Sequence, residues 1–231
     1  MKNTILLILL CVLISGQQLT AENYQYQYFN GEKDKYVPFS DYIPQIRRHN
    51  YTVPHFLEDY YLLYGMKQYY DENSLRMNIL RLKTALDCNF RHPSEALIKI
   101  NTEQEYYKYR NLFFMHINML LCRNYLKIAL RYDKRRIYFY DSDQSKMLMD
   151  SLEAAKLYYS DAIPHWNEAK KYAEKASKIK ITTDLGYMET ERFRIITGDL
   201  NMDKVIKKDL SSIESKINEL KALQDKNGTS Q

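Results

Sequence analysis

The chain has 231 residues, of which 45% are hydrophobic and 27% charged, and its formal net charge is +5 at pH 7. This mildly basic, mixed composition lacks the concentrated positive field of a dedicated nucleic-acid binder, so we expect no nucleic-acid partner. Glycine and proline number only 6 and 5. Such sparing use of helix-breaking residues favours long helices over many short strands.

The first 21 residues have the pattern of a secretory signal peptide. Lys2 precedes an apolar run from Ile5 to Ile14, and a short polar stretch follows as far as Ala21. This run is too short for a membrane span, which needs roughly 20 apolar residues. We therefore expect a periplasmic protein, exported by residues 1–21 and without a membrane span. Export places Cys88 and Cys122 where disulfides form, and they are either two free thiols or one bridge.

Residues 22–51 form a tyrosine-rich segment without helical periodicity. Aromatic and polar residues alternate at its start, before Asn30-Gly31, which is typical of an extended arm that ends in a turn. An arm without a core gains order only on another surface, and tyrosine is enriched at interfaces. We predict a partner-binding arm; packing onto this chain's own helices is the alternative. The predicted contact residues are Tyr24, Tyr26, Tyr28, Tyr36 and Tyr42.

Helices are predicted from Thr52 onward. Thr52 is an N-cap candidate, and an apolar face at helical spacing extends to Tyr70. A second helix is predicted from Leu75 to Leu86, and a short third helix from Pro93 to Ile98. The residues of this face are Phe56, Tyr60, Leu63, Tyr64 and Met66 or Lys67.

The most apolar block of the mature chain is 112–122, whose only polar residues are His116 and Asn118. A helix that is apolar on every side is buried by its neighbours. We predict a spine helix from Glu103 to Tyr132, about 45 Å long at helical rise. A capping box is expected at its start. The capping-box residues are Thr102 and Glu105.

A second long helix is predicted after Asp143, because apolar residues recur every three or four positions over nearly forty residues. It should run antiparallel to the spine. Pro164 lies inside it and predicts a kink, since proline removes one backbone hydrogen bond and clashes with the preceding turn. The periodic residues are Leu148, Leu152, Ala155, Tyr159, Ala162, Trp166, Ala169, Tyr172 or Ala173, Ala176 and Ile179.

The C-terminal part predicts two further helices, the first from Thr183 or Asp184 to Thr197, where Gly198 stops it. The last helix, from about Asn201 to Gln224, carries a heptad seam. About two and a half heptads are marginal alone, so the seam needs a partner helix inside the chain or in another copy. Self-association is therefore one expectation for the seam residues Ile206, Leu210, Ile213, Ile217 and Leu220.

The sequence offers little for catalysis or metal binding. His55, Glu58 and Asp59 crowd one helix, and His165 lies three residues before Glu168. Neither group has two histidines at the spacing of a zinc motif, so surface roles are favoured. We expect no enzyme activity and no catalytic, cofactor-binding or metal-binding residues. An enzyme with an unrecognised site is one alternative.

Three stretches resemble the spirochaetal flagellar coiling proteins: Tyr61–Lys67 (YLLYGMK), Asn89–Ile100 (NFRHPSEALIKI) and Glu105–Arg110 (EYYKYR). The similarity covers about Thr52 to Ser177. Members of that family are exported, all-helical components of the sheath around the periplasmic flagellar filament. The resemblance implies a non-enzymatic protein that coats the filament core, contacts other sheath and core filament proteins, and promotes filament coiling and motility. It supplies no active-site residues.

The expected fold is therefore all-α: an elongated helical bundle built on two long antiparallel helices, with an extended N-terminal arm and a C-terminal heptad helix. The expected division is a signal peptide at 1–21, the arm at 22–51, the helical domain at 52–225 and a disordered tail at 226–231. The competing function is a periplasmic helical scaffold or adaptor that binds other exported proteins.

Overall fold

A computed structural model of the chain describes residues 54–137 and 142–228. The chain divides into two units, Met1–His55 and Phe56–Gln231. Only Pro54 and His55 are described in the first unit, and neither is helical. The predicted signal peptide, the tyrosine-rich arm with its five contact residues, and the Thr52 cap therefore lie outside the described residues.

The second unit is an all-α bundle, as the sequence predicts. Its described residues contain six α-helices and no strand, apart from one isolated bridge between Phe56 and Asn89. A π-helical turn, Tyr61–Gly65, continues the first helix, and a 3-10 turn occupies Pro93–Glu95. The helices are α1 Leu57–Tyr60, α2 Glu72–Asp87, α3 Glu103–Tyr132, α4 Ser142–Ser177, α5 Gly186–Thr197 and α6 Met202–Gly228.

The spine helix α3 has the predicted bounds and the predicted capping box. Thr102 Oγ1 accepts from the Glu105 backbone N–H at 3.1 Å, and the Glu105 carboxylate accepts from the Thr102 N–H at 3.3 Å. Each hydrogen bond satisfies a donor that the start of a helix leaves open. Nine of the eleven residues in 112–122 are buried. The prediction of a helix buried by its neighbours is confirmed.

Helix α4 packs antiparallel along α3. Phe114, in the first half of α3, stacks on Tyr172 late in α4 with ring centroids 5.0 Å apart, and Tyr132 stacks on Tyr158 at 5.7 Å. The predicted periodic face is confirmed except for Ile179, which follows the helix. Pro164 lies inside the continuous helix, so the chain is not broken there, and a bend remains a prediction. The buried residues of α4 include Leu148, Leu152, Ala155, Tyr159, Ala162, Trp166, Ala169, Ala173 and Ala176.

Helix α6 packs its heptad seam on α4 of the same chain. Four of the five seam residues are buried, and Leu210 is half-buried. The partner helix is therefore internal. Self-association through these residues is not supported, because most of their apolar surface is already covered within the chain. The buried seam residues are Ile206, Ile213, Ile217 and Leu220.

The first helix differs from its prediction. Its described helical residues run only from Leu57 to Gly65, so the stretch up to Tyr70 is not helical. Leu63 and Met66 are exposed rather than buried. The π-helical turn is the cause, because one extra residue per turn rotates the apolar pattern away from its α-helical phase.

Gly65 lets this turn approach α3. A Cβ at Gly65 would lie 2.7 Å from Tyr61 Cδ2 and 3.2 Å from Leu120 Cδ1. The first distance is too short for a real contact, so only glycine fits without displacing the Tyr61 ring. Glycine at this position thus allows the turn to pack closely on the spine.

The predicted helix at 93–98 is also wrong beyond Glu95. Ala96 has extended dihedral angles, φ −60° and ψ 159°. The Leu97 N–H donates to the Tyr109 hydroxyl at 3.3 Å instead of to a helical carbonyl. Gly198 stops α5 as predicted, with a left-handed φ of 82° that suits glycine.

Candidate interaction surface

The described residues contain no obvious chemical centre. No grouping of three or more His, Cys, Asp or Glu side chains among them is placed to hold a metal ion. None of the described helices is both long and apolar enough to cross a membrane. Cys88 and Cys122 are free thiols. Burial raises the pKa of Cys122 to about 12, so its thiol stays neutral and unreactive.

A buried ionic network fastens α5 to α3. His116 Nδ1 lies 2.6 Å from Glu191 Oε2, and both side chains are almost fully buried. Arg123 Nη2 binds the other carboxylate oxygen of Glu191 at 2.7 Å. Tyr187 closes the network, because its ring contacts the His116 ring and its hydroxyl lies 3.4 Å from Arg123 Nη1. One carboxylate thus joins two positions of the spine to α5.

A second buried network fastens the segment before α5. The buried Lys108 ammonium binds Glu189 Oε1 at 2.8 Å and donates to the Ile181 carbonyl. Arg192 Nε donates to Glu189 Oε2 at 2.8 Å. Burial opposes ionisation of Glu189, but the hydrogen bonds from Lys108 and Arg192 hold its pKa below the usual range. This carboxylate therefore stays charged and holds both cations in place.

The three stretches that resemble the flagellar coiling proteins meet in space. Tyr61 from the first stretch, Phe90 from the second and Tyr109 from the third all pack on one ring of α3, that of Phe113, with ring centroids 5.3, 6.2 and 4.7 Å away. Tyr106, from the third, also donates its hydroxyl to the carbonyl of Arg91, in the second, at 3.0 Å. Residues up to 48 positions apart in sequence therefore pack around one ring of the spine.

Beside these networks, large apolar side chains face solvent. Tyr187, Phe193 and Ile196 of α5 have 63%, 57% and 46% of their surface exposed. Three more large apolar side chains are exposed in and just after the π-helical turn that follows α1. The Tyr61 and Tyr187 rings both contact His116, so the two groups flank the same part of α3. We name this set the apolar flank: Leu62, Leu63, Met66, Tyr187, Phe193 and Ile196.

Exposed apolar clusters of this kind mark interaction surfaces more often than single exposed residues do. By contrast, many tyrosines in the described residues serve packing. Arg81 lies over the Tyr64 ring at 4.2 Å, and Lys83 lies over the Tyr125 ring at 5.4 Å. The tyrosine excess of the described part is therefore largely accounted for by ring stacking and cation–π contacts, rather than by exposed rings.

Sequence reasoning missed the buried charges. Glu58 is fully buried, which contradicts its predicted surface role. His165 is half-buried, stacked on Tyr125 and 3.2 Å from Asn118 Oδ1. Periodicity gave no signal for these positions, because Glu58 and Glu191 resemble ordinary solvated charges until their partners, distant in sequence, are known.

The fold and the surface define a helical-bundle protein with two buried ionic networks and an exposed apolar flank. The chain belongs to a family described as a domain of unknown function, DUF8513, whose model matches residues 104–223. The match covers 120 of the 231 residues, from the start of α3 into α6. No curated protein and no solved structure matches the chain.

Proposed function

We propose that this protein is a non-enzymatic structural component of the periplasmic flagellar filament sheath. In this role it coats the filament core, contacts other sheath and core proteins, and promotes filament coiling and cell motility. The resemblance to the flagellar coiling proteins suggests the filament as the binding partner. The exposed surface of the bundle is the part that we propose to bind it.

The observation that carries the proposal is the packing of the three resembling stretches around the Phe113 ring of α3. Tyr106 bonds to the Arg91 carbonyl, and Tyr109 bonds to the Leu97 N–H. Local sequence matches that arise by chance have no reason to contact one another. Their contact supports a resemblance of one folded unit rather than of unrelated segments.

The apolar flank is the part of the described surface best suited to a sheath contact. Interface cores favour aromatic and large aliphatic side chains with few charges at the centre. Phe193 meets this description, because it is a large aromatic side chain of α5 with 57% of its surface exposed. We propose that the flank contacts a neighbouring sheath or core protein, and that Tyr24, Tyr26, Tyr28, Tyr36 and Tyr42 add a second contact.

Co-sedimentation tests this function. Purified full chain is mixed with filaments isolated from cells that lack its gene, and the bound fraction is measured after centrifugation. We expect saturable binding by the natural chain and at least a tenfold weaker binding by the double variant Phe193→Ser, Ile196→Ser. The matched control is Leu157→Ser, which removes an exposed apolar side chain of α4 outside the flank.

Two outcomes count against the proposal. Failure of the natural chain to bind filaments removes the sheath function and favours a periplasmic scaffold or adaptor with other partners. Equal loss of binding in the double variant and in the Leu157→Ser control leaves general surface hydrophobicity as the cause, and the assigned flank is then wrong.

A further inference from the structure

Glu58 is the most unusual carboxyl group of the described residues. It is fully buried on α1 and accepts hydrogen bonds from two other elements. The Tyr109 hydroxyl of α3 donates to Oε1 at 3.0 Å, and the Arg91 N–H donates to both carboxyl oxygens at 3.2 and 3.3 Å. One side chain thus joins α1, the loop after α2 and the spine.

Among the described residues, no cation forms an ion pair with this carboxyl. The Arg91 guanidinium is bound to Asp59, the next residue of α1, rather than to Glu58. The groups of other elements that act on the Glu58 carboxyl are Arg91 in the loop, through its backbone N–H and its charge, and Tyr109 in α3, through its hydroxyl. Arg110 is engaged elsewhere, with its guanidinium over the rings of Phe90 and Tyr106 at 5.2 and 5.7 Å.

Burial therefore decides the protonation of Glu58. It raises the pKa of the carboxyl to about 7, although the hydrogen bonds from Arg91 and Tyr109 oppose the shift. A carboxyl without a direct cation loses hydration on ionisation and regains only part of it from such donors. The neutral form is favoured in the docked segment, and the charged form is favoured in water.

The element that carries Glu58 is short. Helix α1 has four residues and passes into a π-helical turn whose Leu62 and Leu63 face solvent. Besides Glu58, its backbone is tied to the loop by the Leu57 N–H, which donates to the Asn89 carbonyl at 2.9 Å. Short segments with few buried contacts open locally at lower free energy than the core does.

We propose that α1 and the loop Cys88–His92 form a proton-linked latch, in which the neutral Glu58 carboxyl keeps α1 docked on α3 and its ionisation favours the open segment. This device does not depend on the sheath function. Opening uncovers Leu57 and Phe90, both of which are buried in the docked form. The chain therefore presents more apolar surface at alkaline than at acidic pH.

The direction of the pH effect follows from the number of protons bound by the docked and open forms. The docked form keeps its proton up to pH about 7, whereas the open form loses it near the ordinary value of 4.5. Between these values the docked form binds more protons, so docking weakens as pH rises and stays weakened above pH 7. Over the whole window the equilibrium constant for opening rises by about 300-fold, since each pKa unit is a factor of ten.

Hydrogen exchange of the full chain at pH 5 and pH 8.5 tests the latch. Protection factors are corrected for the intrinsic pH dependence of exchange, and the amides of Leu57 and Arg91 report docking. We expect their protection to fall by about 70-fold from pH 5 to pH 8.5, as the two pKa values require. Amides in the middle of α4 are the internal reference and should change far less.

Two variants separate the latch from general pH effects. Glu58→Gln keeps the size and an acceptor oxygen but cannot ionise, so protection at Leu57 should become independent of pH. The matched control Glu153→Gln removes an exposed carboxyl of α4 and should behave like the natural chain. Unchanged protection in the natural chain, or an undiminished pH effect in Glu58→Gln, contradicts the proposal. The first of these outcomes is decisive even if Glu58→Gln fails to fold.

Discussion

The long helix pair α3–α4 and the short elements around it are held together by different means. The pair buries a continuous face of aromatic rings and alanines over most of its length. The short helices α1 and α5 bury only a few apolar residues each, and they add the buried carboxyl groups of Glu58 and Glu191, each bonded to residues far away in sequence. Buried apolar area stabilises the α3–α4 pair, whereas a few buried polar contacts help to position α1 and α5.

The difference explains where each region tolerates change. A helix held by many apolar contacts loses a fraction of its stability when one contact is removed, because the loss is local and roughly proportional to area. A short element that depends on one buried carboxyl group loses a larger share of its attachment when that group is removed, since its buried partners are left without a hydrogen-bond acceptor. The short elements are accordingly where conformational change and partner binding are expected.

Removing Trp166 from α4 should have the largest effect on stability. The side chain is almost fully buried at the α3–α4 pair, and truncation of a buried aromatic costs about 3–5 kcal/mol. We expect Trp166→Ala to lower the free energy of unfolding by this amount in denaturant titrations followed by circular dichroism. The matched change Leu157→Ala, on the exposed side of the same helix, should cost less than about 0.5 kcal/mol. Similar losses for both would show that the pair is not the source of stability.

Removing Glu191 should detach α5 while leaving the long pair intact. Glu191→Ala strands His116 and Arg123 without their shared carboxylate, and breaking a buried ion pair costs about 3 kcal/mol or more. Hydrogen exchange should show lost protection in α5 and little change in the middle of α4. Glu214→Ala, which removes a half-exposed partner of Lys156, is the control and should change neither helix. Uniform loss of protection along α4 would contradict a separate role for the periphery.

Replacing Pro164 should stabilise the long pair. Proline inside a helix lacks one hydrogen bond and costs about 3 kcal/mol relative to a good helix former, so Pro164→Ala should raise the free energy of unfolding by up to this amount. If the predicted bend fits a curved filament, the same variant should bind purified filaments less well. Normal binding by a variant shown to be straighter would refute the link between the bend and assembly.

Changing Tyr24, Tyr26 and Tyr28 together to Ser should have the smallest effect on stability. If these rings dock on a partner, the midpoint of thermal unfolding of the isolated chain stays almost unchanged while its retention on filaments falls, because the lost contacts belong to the complex. A lower melting midpoint with unchanged retention per folded molecule would assign the arm to this chain's own fold.

Much of the bundle was predictable from periodicity and capping. The bounds of α3, the buried face of α4 and the glycine stop after α5 followed from apolar spacing and from the residue types that begin and end helices. The choice of partner for the α6 seam was not predictable, because a heptad seam fits an internal and an external helix equally well.

The wrong predictions lie where local sequence does not determine the structure. The π-helical turn at Tyr61–Gly65 shifts the apolar phase, and it depends on close packing of Gly65 against Tyr61 and Leu120. The buried carboxylates depend on partners 33 to 75 positions away. Neither feature has a periodic signal, so the exposed apolar flank that results from them was also missed.

The most direct test of the sheath function is to delete the gene and image isolated filaments by electron microscopy. We predict filaments with reduced curvature, and recovery of the natural curvature when the unaltered gene is returned. Filaments of unchanged curvature and composition after deletion would contradict the account, because a sheath component that promotes coiling must leave its mark on both.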